Sequence, residues 1–476
     1  MVRWQLLVQP VPAAAFTGFI YLLAFLNAFN QFPALSGSNG LLPVKPFLER
    51  VPFSKAPSIF HWRYSDTLLR VVAGSGMLLA VLALTGISES GPLWSSILVW
   101  FLLWILYLSI VNVGQVFYGF GWESMLLEVG FFAMFLGPAQ MAAPVLVIWL
   151  IRWMLLRVEF GAGLIKMRGD RCWRDLTCLN YHHETQPLPN PLSRYFHLLP
   201  EPLHKVETAF NHFVQLVVVW GLFFPQPVAS IAAALIILSQ AYLIISGNYS
   251  WLNWLTLSLG FSGFSDGVIQ DITGLAPSEA APVPFYFTVI IVLLGIAVAG
   301  MSIQPVKNML SPGQKMNFSF NPLHLVNTYG AFGSVTKTRY EIIIEGTDDP
   351  DPGPDSDWRA YRFKGKPGDP SRRSPQVSPY HLRLDWQMWF AAMSSPRSNY
   401  WLKRLVRKLL EGDEAAQSLL REVPFTDAPP SYIRARLFEY SYTTRGERKQ
   451  SGNWWRRKYV SPYLPPVSLE DFDRPL

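Results

Sequence analysis

Cysteine is scarce in this sequence, and charge is scarce over its first two-thirds. Cys172 and Cys178 are the two cysteines among 476 residues, which excludes a framework of several disulfides. Charged residues make up 15% of the chain, whereas an ordinary soluble domain has about 25%. Residues 1–320 contain 16 Lys and Arg with 14 Asp and Glu, and the remaining 24 and 19 lie in residues 321–476. The composition therefore excludes a single soluble globule.

Motifs that would indicate a nucleotide-binding protein or a hydrolase are absent from the sequence. There is no GxxxxGK[ST] loop, no strand-borne GxGxxG, no GxSxG and no HExxH. The net charge of +7 is spread along the chain without a basic run, so we expect no nucleic-acid partner. We predict no cofactor.

Long apolar segments dominate residues 1–310. A transmembrane helix needs about 20 mostly apolar residues, and the segments lack the alternation of membrane β-strands. A ninth, weaker segment, Trp251–Phe264, is interrupted by Gly260 and Gly263. We predict a polytopic α-helical membrane protein with about eight or nine transmembrane helices, with membrane lipid as its surroundings. The eight clear segments are Pro12–Gln31, Thr67–Ile87, Leu93–Val113, Trp122–Leu136, Pro144–Phe160, Thr208–Phe224, Val228–Ile245 and Val283–Ile303.

Residues 311–476, called the tail below, have the composition of a soluble domain. Alternation and β-branched or aromatic residues predict strands, and shorter amphipathic segments between them predict helices. We expect a soluble α+β domain built on an antiparallel sheet. The predicted strands are Thr338–Glu345, Trp358–Phe363, Tyr380–Asp385, Tyr432–Thr443 and Trp454–Tyr459, and the predicted helices are Trp386–Met393, Tyr400–Leu410 and Ala415–Glu422.

Residues 161–207, called the connector below, follow the fifth apolar segment. Aromatic side chains among its charges suggest a loop that folds against the membrane face or a partner, and Pro187, Pro189 and Pro191 favour a stiff, extended stretch. A structured interfacial loop and a client-binding loop are both compatible with this pattern. The candidate residues are Arg168, Asp170, Cys172, Trp173, Arg174, Asp175, Cys178, Tyr181, His182, Glu184 and Gln186.

The two cysteines leave three interpretations open. In a loop, Cys172 and Cys178 could form a disulfide, act as a reactive thiol pair or pack as small apolar side chains. Their spacing is not that of a redox CxxC motif. A zinc site with His182 and His183 matches no usual ligand spacing, so no metal site is predicted.

Polar side chains within or beside the apolar segments form a second group of candidates. A lone charge at the centre of a membrane costs at least about 2.5 kcal/mol, so such residues should pair or line a wet cavity. We predict an ion pair between Glu128 and Arg157, which either fixes helix register or belongs to a functional cavity. The candidates are Gln115, Glu123, Glu128, Arg152 and Arg157.

Nine strings stand out by their unusual composition. They are Gly114–Phe131, Leu164–Asp170, Cys172–Thr177, Tyr181–Pro191, Asn327–Gly333, Lys366–Asp369, Pro379–Trp386, Met388–Ala392 and Trp454–Trp455. These strings resemble the lipase maturation factor family, and the likeness runs from about residue 16 to residue 460. In the tail, they include the further candidates Tyr329, Arg383, Asp385, Trp386 and Trp389. Gly121 and Glu123 depart from the pattern that the resemblance implies, in which Gln and Asp are expected.

The resemblance implies a multi-pass protein of the endoplasmic reticulum membrane (the plasma membrane in a prokaryote). It implies a maturation factor or chaperone rather than a catalyst, whose partners are newly synthesised secreted lipases. The connector and the tail would then face the lumen. The positive-inside rule, applied to the loop charges, favours the opposite orientation.

Two alternatives come from other classes of protein. Ala162–Lys166 is similar to a short stretch in the membrane domain of the vitamin K-dependent γ-carboxylases, and there the resemblance implies Lys166 as a base. A transporter that uses Glu128, Arg152 and Arg157 is also conceivable, although the sequence has no inverted repeat.

Overall fold

The computed structural model describes residues 10–274 and 280–473. Its first part is helical. Short 3₁₀ turns follow several helices, among them Gln115–Tyr118 and Val218–Phe223. The helices are α1 (Pro10–Ser36), α2 (Val44–Arg50), α3 (Asp66–Leu84), α4 (Ile87–Ser90), α5 (Leu93–Val113), α6 (Gly121–Ala133), α7 (Val145–Arg168), α8 (Arg171–Arg174), α9 (Leu179–Thr185), α10 (Ser193–His197), α11 (Glu201–Leu216), α12 (Val228–Ser246), α13 (Leu252–Gly260), α14 (Asp266–Thr273) and α15 (Phe285–Leu310).

Six helical segments of the described chain are long and apolar enough to cross a membrane. The last of them, α15, is mostly exposed, and Phe285, Leu293 and Ile296 on it are 84%, 60% and 65% exposed. Apolar side chains exposed along a whole helix fit contact with lipid. The chain is therefore a multi-pass membrane protein. The six segments are Ala14–Ser36, Asp66–Leu84, Leu93–Val113, Glu201–Phe223, Val228–Ser246 and Phe285–Leu310.

The predicted total of eight or nine transmembrane helices is not confirmed by these six. Helix α6 has 13 residues, about 20 Å at 1.5 Å per residue, and α13 has nine, so each is shorter than the hydrocarbon layer. Helix α7 is long enough, with 24 residues. Its Arg152, Arg157 and Glu159 reduce its hydropathy, and all three are buried inside the protein.

Glycines let the helices of the membrane part approach one another closely. A Cβ atom at Gly76 of α3 would lie 2.4 Å from the ring of Phe25 on α1. A Cβ atom at Gly130 of α6 would lie 2.0 Å from the hydroxyl of Tyr21. Small residues at such contacts are typical of helix packing in membranes. Helix α6 is consequently buried along nearly its whole length.

The tail is an α+β unit on an antiparallel sheet, as predicted. The four-stranded sheet has the order β2-β1-β5-β6, and β1 pairs with β5 from Arg339 opposite Tyr440 to Thr347 opposite Tyr432. The elements are β1 (Arg339–Thr347), β2 (Arg359–Ala360), β3 (Arg362–Phe363), α16 (Arg383–Ala392), α17 (Tyr400–Leu410), α18 (Glu414–Ser418), β4 (Leu420–Glu422), β5 (Tyr432–Tyr442), α19 (Arg445–Ser451), β6 (Trp455–Val467) and α20 (Glu470–Asp473).

Two segment predictions in the tail were wrong. Tyr380–Asp385 was predicted as a strand because apolar and polar residues alternate there, but α16 begins at Arg383. Leu384, Met388 and Ala391 share one buried face at helical spacing. The helix predicted over Ala415–Glu422 ends at Ser418, because the buried Leu420 pairs with Phe363 in a two-stranded sheet.

Candidate functional site

A cavity of about 750 Å³ lies where the connector, the tail and the membrane helices meet. Its wall is mostly apolar and comes from α7, α9, α11, α12, α13, the stretch 329–336 and α16. Glu159, Lys166, His183, Glu207 and Gln240 are among the polar residues of the wall. A large apolar cavity with a few convergent polar groups is the usual form of a binding site.

Three of the connector candidates line this cavity, and each is held by a specific contact. Trp173 Nε1 donates to the carbonyl of Phe332 at 2.7 Å. His182 Nε2 lies 2.9 Å from the hydroxyl of Tyr249, and burial lowers the pKa of His182 to about 3. Gln186 Nε2 donates to the carbonyl of Ser246 at 3.0 Å. All three side chains are buried, so they shape the cavity and are not on the outer surface.

Three of the tail candidates line the opposite part of the cavity. They are Tyr329, Trp386 and Trp389. Trp389 Nε1 donates to the carbonyl of Thr185 at 2.9 Å, which joins α16 to α9. The Trp386 ring lies 4.9 Å from that of Trp122 at the start of α6. The cavity therefore has walls from all three parts of the chain.

Lys166 lines the cavity from near the end of α7. Its Nζ donates to Asn211 Oδ1 at 2.6 Å and to Gln215 Oε1 at 3.0 Å. The same atom lies 4.9 Å from the centre of the Trp173 ring. The ammonium group is thus held by two amide oxygens of α11 and by an aromatic face.

Cys172 and Cys178 form a disulfide, with a Cα–Cα distance of 4.8 Å. Both residues are buried, and the N–H of Thr177 donates to the carbonyl of Cys172 at 2.8 Å inside the closed turn. A nucleophilic or metal-binding cysteine must be a thiolate. The disulfide therefore favours the structural interpretation of this pair over the reactive-thiol and zinc-ligand interpretations.

The other connector candidates lie away from the cavity wall. Asp170 caps α8 by accepting from the N–H of Cys172 at 3.3 Å, and Arg168 donates to Gln314 Oε1 at 2.7 Å. Arg174 and Asp175 are exposed. The remaining candidate, Tyr181, is half-buried and its ring lies 5.8 Å from Lys337 Nζ.

A buried arginine of the tail holds the extended part of the connector. Arg339 Nη1 donates to the carbonyls of Glu184 at 3.0 Å and Gln186 at 2.5 Å, and Nη2 donates to that of Pro187 at 3.0 Å. Its charge is balanced by Glu341, at 2.5 Å. Glu184 lies in the last turn of α9, where carbonyls lack a helical partner, and Gln186 and Pro187 follow the helix. Arg339 therefore satisfies three carbonyls at this point of the chain.

The side chain of Glu184 strengthens the same joint. It accepts a hydrogen bond from the backbone N–H of Tyr442 on β5 at 2.6 Å. Burial raises the pKa of Glu184, and this hydrogen bond opposes the shift. The connector and the sheet of the tail are therefore joined in two ways. Arg339 of the tail donates to carbonyls of the connector, and Glu184 of the connector accepts from the backbone of β5.

Glu123, at the start of α6, is paired with Arg383 of the tail. Arg383 Nη1 donates to Glu123 Oε1 at 2.7 Å and to the carbonyl of Phe117 at 2.7 Å, and Arg383 Nε donates to Asn27 Oδ1 at 2.7 Å. Tyr107 donates a second hydrogen bond to the Glu123 carboxylate. The tail is thus anchored in the membrane part by a fully buried ion pair.

The predicted pair of Glu128 and Arg157 is present. Its surroundings come from the tail: Asn327 donates to Glu128 Oε2 through its backbone N–H and its Nδ2, both at 2.9 Å, and the hydroxyl of Tyr329 donates at 2.8 Å. Arg157 Nη1 donates in turn to the carbonyl of Asn327 at 2.5 Å. This pair fixes residues 327–329 onto α6 and α7.

The remaining candidates lie in separate places. Arg152 donates to the carbonyls of Ser262 at 2.8 Å and Leu222 at 2.9 Å. Gln115 donates to the carbonyl of Leu42 at 2.8 Å. Asp385 accepts from the N–H of Gly365 at 2.6 Å, and burial raises its pKa. Arg152 therefore has hydrogen-bond partners other than those of the Glu128 and Arg157 pair, and these contacts give the transporter alternative no support.

Comparisons with known proteins agree with this architecture. Residues 13–271 match the lipase maturation factor transmembrane domain, and residues 325–465 match the lipase maturation factor C-terminal domain. No solved structure matches the chain.

Named relatives are similar over nearly the whole chain. Lipase maturation factor 1 of Mus musculus and that of Homo sapiens are each 43% identical, over 95% of this chain and 86% of theirs. Lipase maturation factor 2 of Xenopus laevis is 30% identical over 95% of this chain and 81% of its own. These matches do not favour the γ-carboxylase-like alternative. By these domains and these identities, the chain belongs to the lipase maturation factor family.

Proposed function

We propose that this protein assists the folding and assembly of newly made secreted lipases in the membrane of the endoplasmic reticulum. The observation that carries the proposal is the 43% identity, over 95% of the chain, to proteins named lipase maturation factor 1. The disulfide between Cys172 and Cys178 fits an oxidising compartment such as the lumen of this organelle.

We propose that the connector and the tail act on the client as one unit. The three carbonyls held by Arg339, the contact of Glu184 with Tyr442 and that of Trp389 with Thr185 support this view. Because Trp173 is 3% exposed, it is poorly placed to touch a client. Leu192 and Tyr195, which are 42% and 45% exposed, offer apolar surface beside the tail, and we propose them as client contacts.

The proposal is tested by supplying the protein to cells that lack their own lipase maturation factors and express a secreted lipase. We expect secreted lipase activity to recover. A photoreactive residue at Tyr195 should capture the lipase, whereas the same residue at Ile296, exposed on the lipid-facing α15, should not. A normal amount of this protein in the membrane, without any recovery of secreted lipase activity, would contradict the proposal.

We propose that the chain crosses the membrane nine times, with three crossings beside the six apolar segments. They are α7 and the two buried segments that contain the short helices α6 and α13, whose non-helical ends are enclosed by protein. Contacts between loops support this path. Gln31, near the end of α1, donates to the carbonyl of His381 in the tail at 2.8 Å. At the other ends of the helices, the N–H of Ala139 donates to the carbonyl of Glu89 at 2.8 Å and Met141 pairs with Ala281.

Nine crossings would leave the N-terminus and the tail on opposite sides of the membrane. We propose that the tail and the connector face the lumen, against the positive-inside rule, because both are folded units and the rule governs short loops. A glycosylation-acceptor tag placed after Leu476 should be modified. An unmodified tag would place the tail in the cytoplasm and would exclude direct contact with a lumenal client.

A substitution at Lys166 distinguishes the hypothesis of a maturation factor from that of an enzyme. In a γ-carboxylase-like enzyme, loss of the base would abolish activity at an unchanged protein level. In a maturation factor, Lys166→Met should reduce lipase output only as far as it reduces the amount of folded protein, since Nζ holds Asn211 and Gln215. Asn211→Ala is a matched control, because it disturbs the same contact without removing the amine.

A further inference from the structure

Three metal-ligating side chains converge beside the cavity from two different helices. His183 lies on α9 of the connector, and His204 and Glu207 lie one turn apart on α11. One ligand atom of each lies within 4.8 Å of the other two. His204 Nδ1 is 3.2 Å from Glu207 Oε2, and His183 Nε2 is 3.8 Å from the same oxygen. The spacing of three residues places His204 and Glu207 on one face of their helix.

Neither ring nitrogen of His183 has a hydrogen-bond partner within 3.5 Å among the described residues, although the side chain is 2% exposed. Its Nε2 reaches Glu207 Oε2 only at 3.8 Å. A buried polar group without a hydrogen-bond partner lowers the stability of the folded protein by about 1–3 kcal/mol. A ligand that bonds to the group would remove that cost. His182, the preceding residue, differs because its ring bonds to the hydroxyl of Tyr249. Packing against Phe196 and His204 surrounds the His183 ring but supplies no hydrogen-bond donor or acceptor to its nitrogens.

The other buried imidazole of the cluster already has an outer contact. His204 Nε2 lies 3.4 Å from the carbonyl of His197, while its Nδ1 faces Glu207. A histidine that ligates a metal through one nitrogen commonly donates to a backbone carbonyl through the other. His204 is therefore oriented as a ligand would be.

We propose that His183, His204 and Glu207 bind one divalent transition-metal ion, and that Zn²⁺ is the ion that fits best. Two imidazoles and one carboxylate are a common zinc ligand set. Zn–N and Zn–O bonds of about 2.0–2.1 Å place tetrahedral ligand atoms about 3.3 Å apart. The observed separations of 3.2 and 3.8 Å from Glu207 are close to that value. All three ligand atoms lie within 4.8 Å of one another, so the ion would draw them closer together.

The ion would tie α9 to α11, the helix that begins the apolar segment Glu201–Phe223. His183 and Glu207 both line the cavity, so a fourth ligand, such as water, approaches from that side. The hydroxyl of Tyr242, which also lines the cavity, is buried close to the carboxylate of Glu207. The proposal concerns the architecture of the site and does not depend on which client the protein serves.

The first test measures bound metal in untagged, full-length protein purified in detergent and dialysed against metal-free buffer. We expect about one zinc per chain for the natural protein, because the three residues form one ligand set. Glu207→Gln and His183→Ala should each weaken zinc binding by more than about tenfold, since each removes a ligand. Glu201→Gln is the matched control, because Glu201 is an exposed carboxylate at the start of the same helix.

A Co²⁺ titration of the natural protein covers the case in which a variant fails to fold. Co²⁺ reports its coordination geometry in the visible spectrum, and we expect the bands of a tetrahedral nitrogen and oxygen site, lost on addition of Zn²⁺. Zinc binding by the natural protein no tighter than that of Glu207→Gln, or a Co²⁺ spectrum like that of the hydrated ion, would overturn the proposal.

Discussion

Arg383 donates a hydrogen bond to Glu123 across 260 positions of the chain, at 2.7 Å and with both side chains fully buried. One partner begins α6 in the membrane part and the other begins α16 in the tail. The tail and the membrane part therefore form one folded unit at this point.

Replacing Arg383 alone should reduce the stability of the protein more than replacing both Arg383 and Glu123. Arg383→Met leaves the Glu123 carboxylate buried without its cation, which typically costs about 3–5 kcal/mol. The double variant with Glu123→Gln restores neutrality and should regain part of that loss. Thermal unfolding in detergent measures both effects. Equal melting temperatures for Arg383→Met and the natural protein would contradict the assignment of this pair as an anchor.

Glu128 and Arg157 should show coupled effects on stability. Each single change, Glu128→Gln or Arg157→Met, leaves a buried group without its partner, whereas the double variant removes both charges. We expect the losses to be non-additive, with a coupling energy of about 0.5–3 kcal/mol. The comparison is made by unfolding of all four proteins under one condition. Additive losses would show that the two groups act independently.

The cysteines should behave as one unit. Replacing both with Ser removes the constraint on a short loop, which the chain-entropy model values at about 2 kcal/mol. Cys172→Ser, Cys178→Ser and the double variant should therefore reduce stability by similar amounts, and the natural protein should resist alkylation unless it is first reduced. Lipase output that is lost with one single variant and kept with the other would instead indicate a reactive thiol.

Acid should destabilise the tail through His381. Burial lowers the pKa of His381 to about 4, while the neighbouring Glu123 opposes the shift and Arg383 adds to it. The ring is neutral when folded, so its contribution is fully present above the unfolded pKa of about 6.5. That contribution is lost as the pH falls from about 6.5 towards 4.

His381→Gln tests this dependence. Its unfolding temperature should fall less steeply than that of the natural protein between about pH 6.5 and pH 4, because no imidazole has to be protonated. His61→Gln, in a partly exposed loop, is the control. Parallel pH profiles for His381→Gln and the natural protein would contradict the prediction.

The sequence predicted what depends on local pattern. Apolar runs located the six helical segments that are long and apolar enough to cross a membrane, and the pairing of Glu128 with Arg157 followed from the cost of isolated charge in a membrane. The alternation of apolar and polar residues over Tyr380–Asp385 predicted a strand, and this prediction was wrong. Over so few residues the alternation does not distinguish a strand from the start of a helix, and α16 begins at Arg383. Apolar composition did not reveal that α6 has only 13 residues, because hydrophobicity does not determine where a buried helix begins and ends.

The contacts between distant segments could not be predicted. Nothing near Arg339 shows that its guanidinium holds carbonyls of the connector, and nothing near Arg383 points to Glu123. The grouping of His183 with Glu207 depends in the same way on how α9 packs against α11. A signal was present only within α11, where His204 and Glu207 are spaced three residues apart.

The hold of Arg339 on the connector also sets an order of events during biosynthesis. Arg339 follows Glu184 by 155 positions, and a ribosome that adds about 5–20 residues per second needs about 10–30 seconds to make that stretch. During this interval the carbonyls of residues 184, 186 and 187 have no guanidinium to bind. The connector of each new chain therefore cannot form these hydrogen bonds until the tail has been translated.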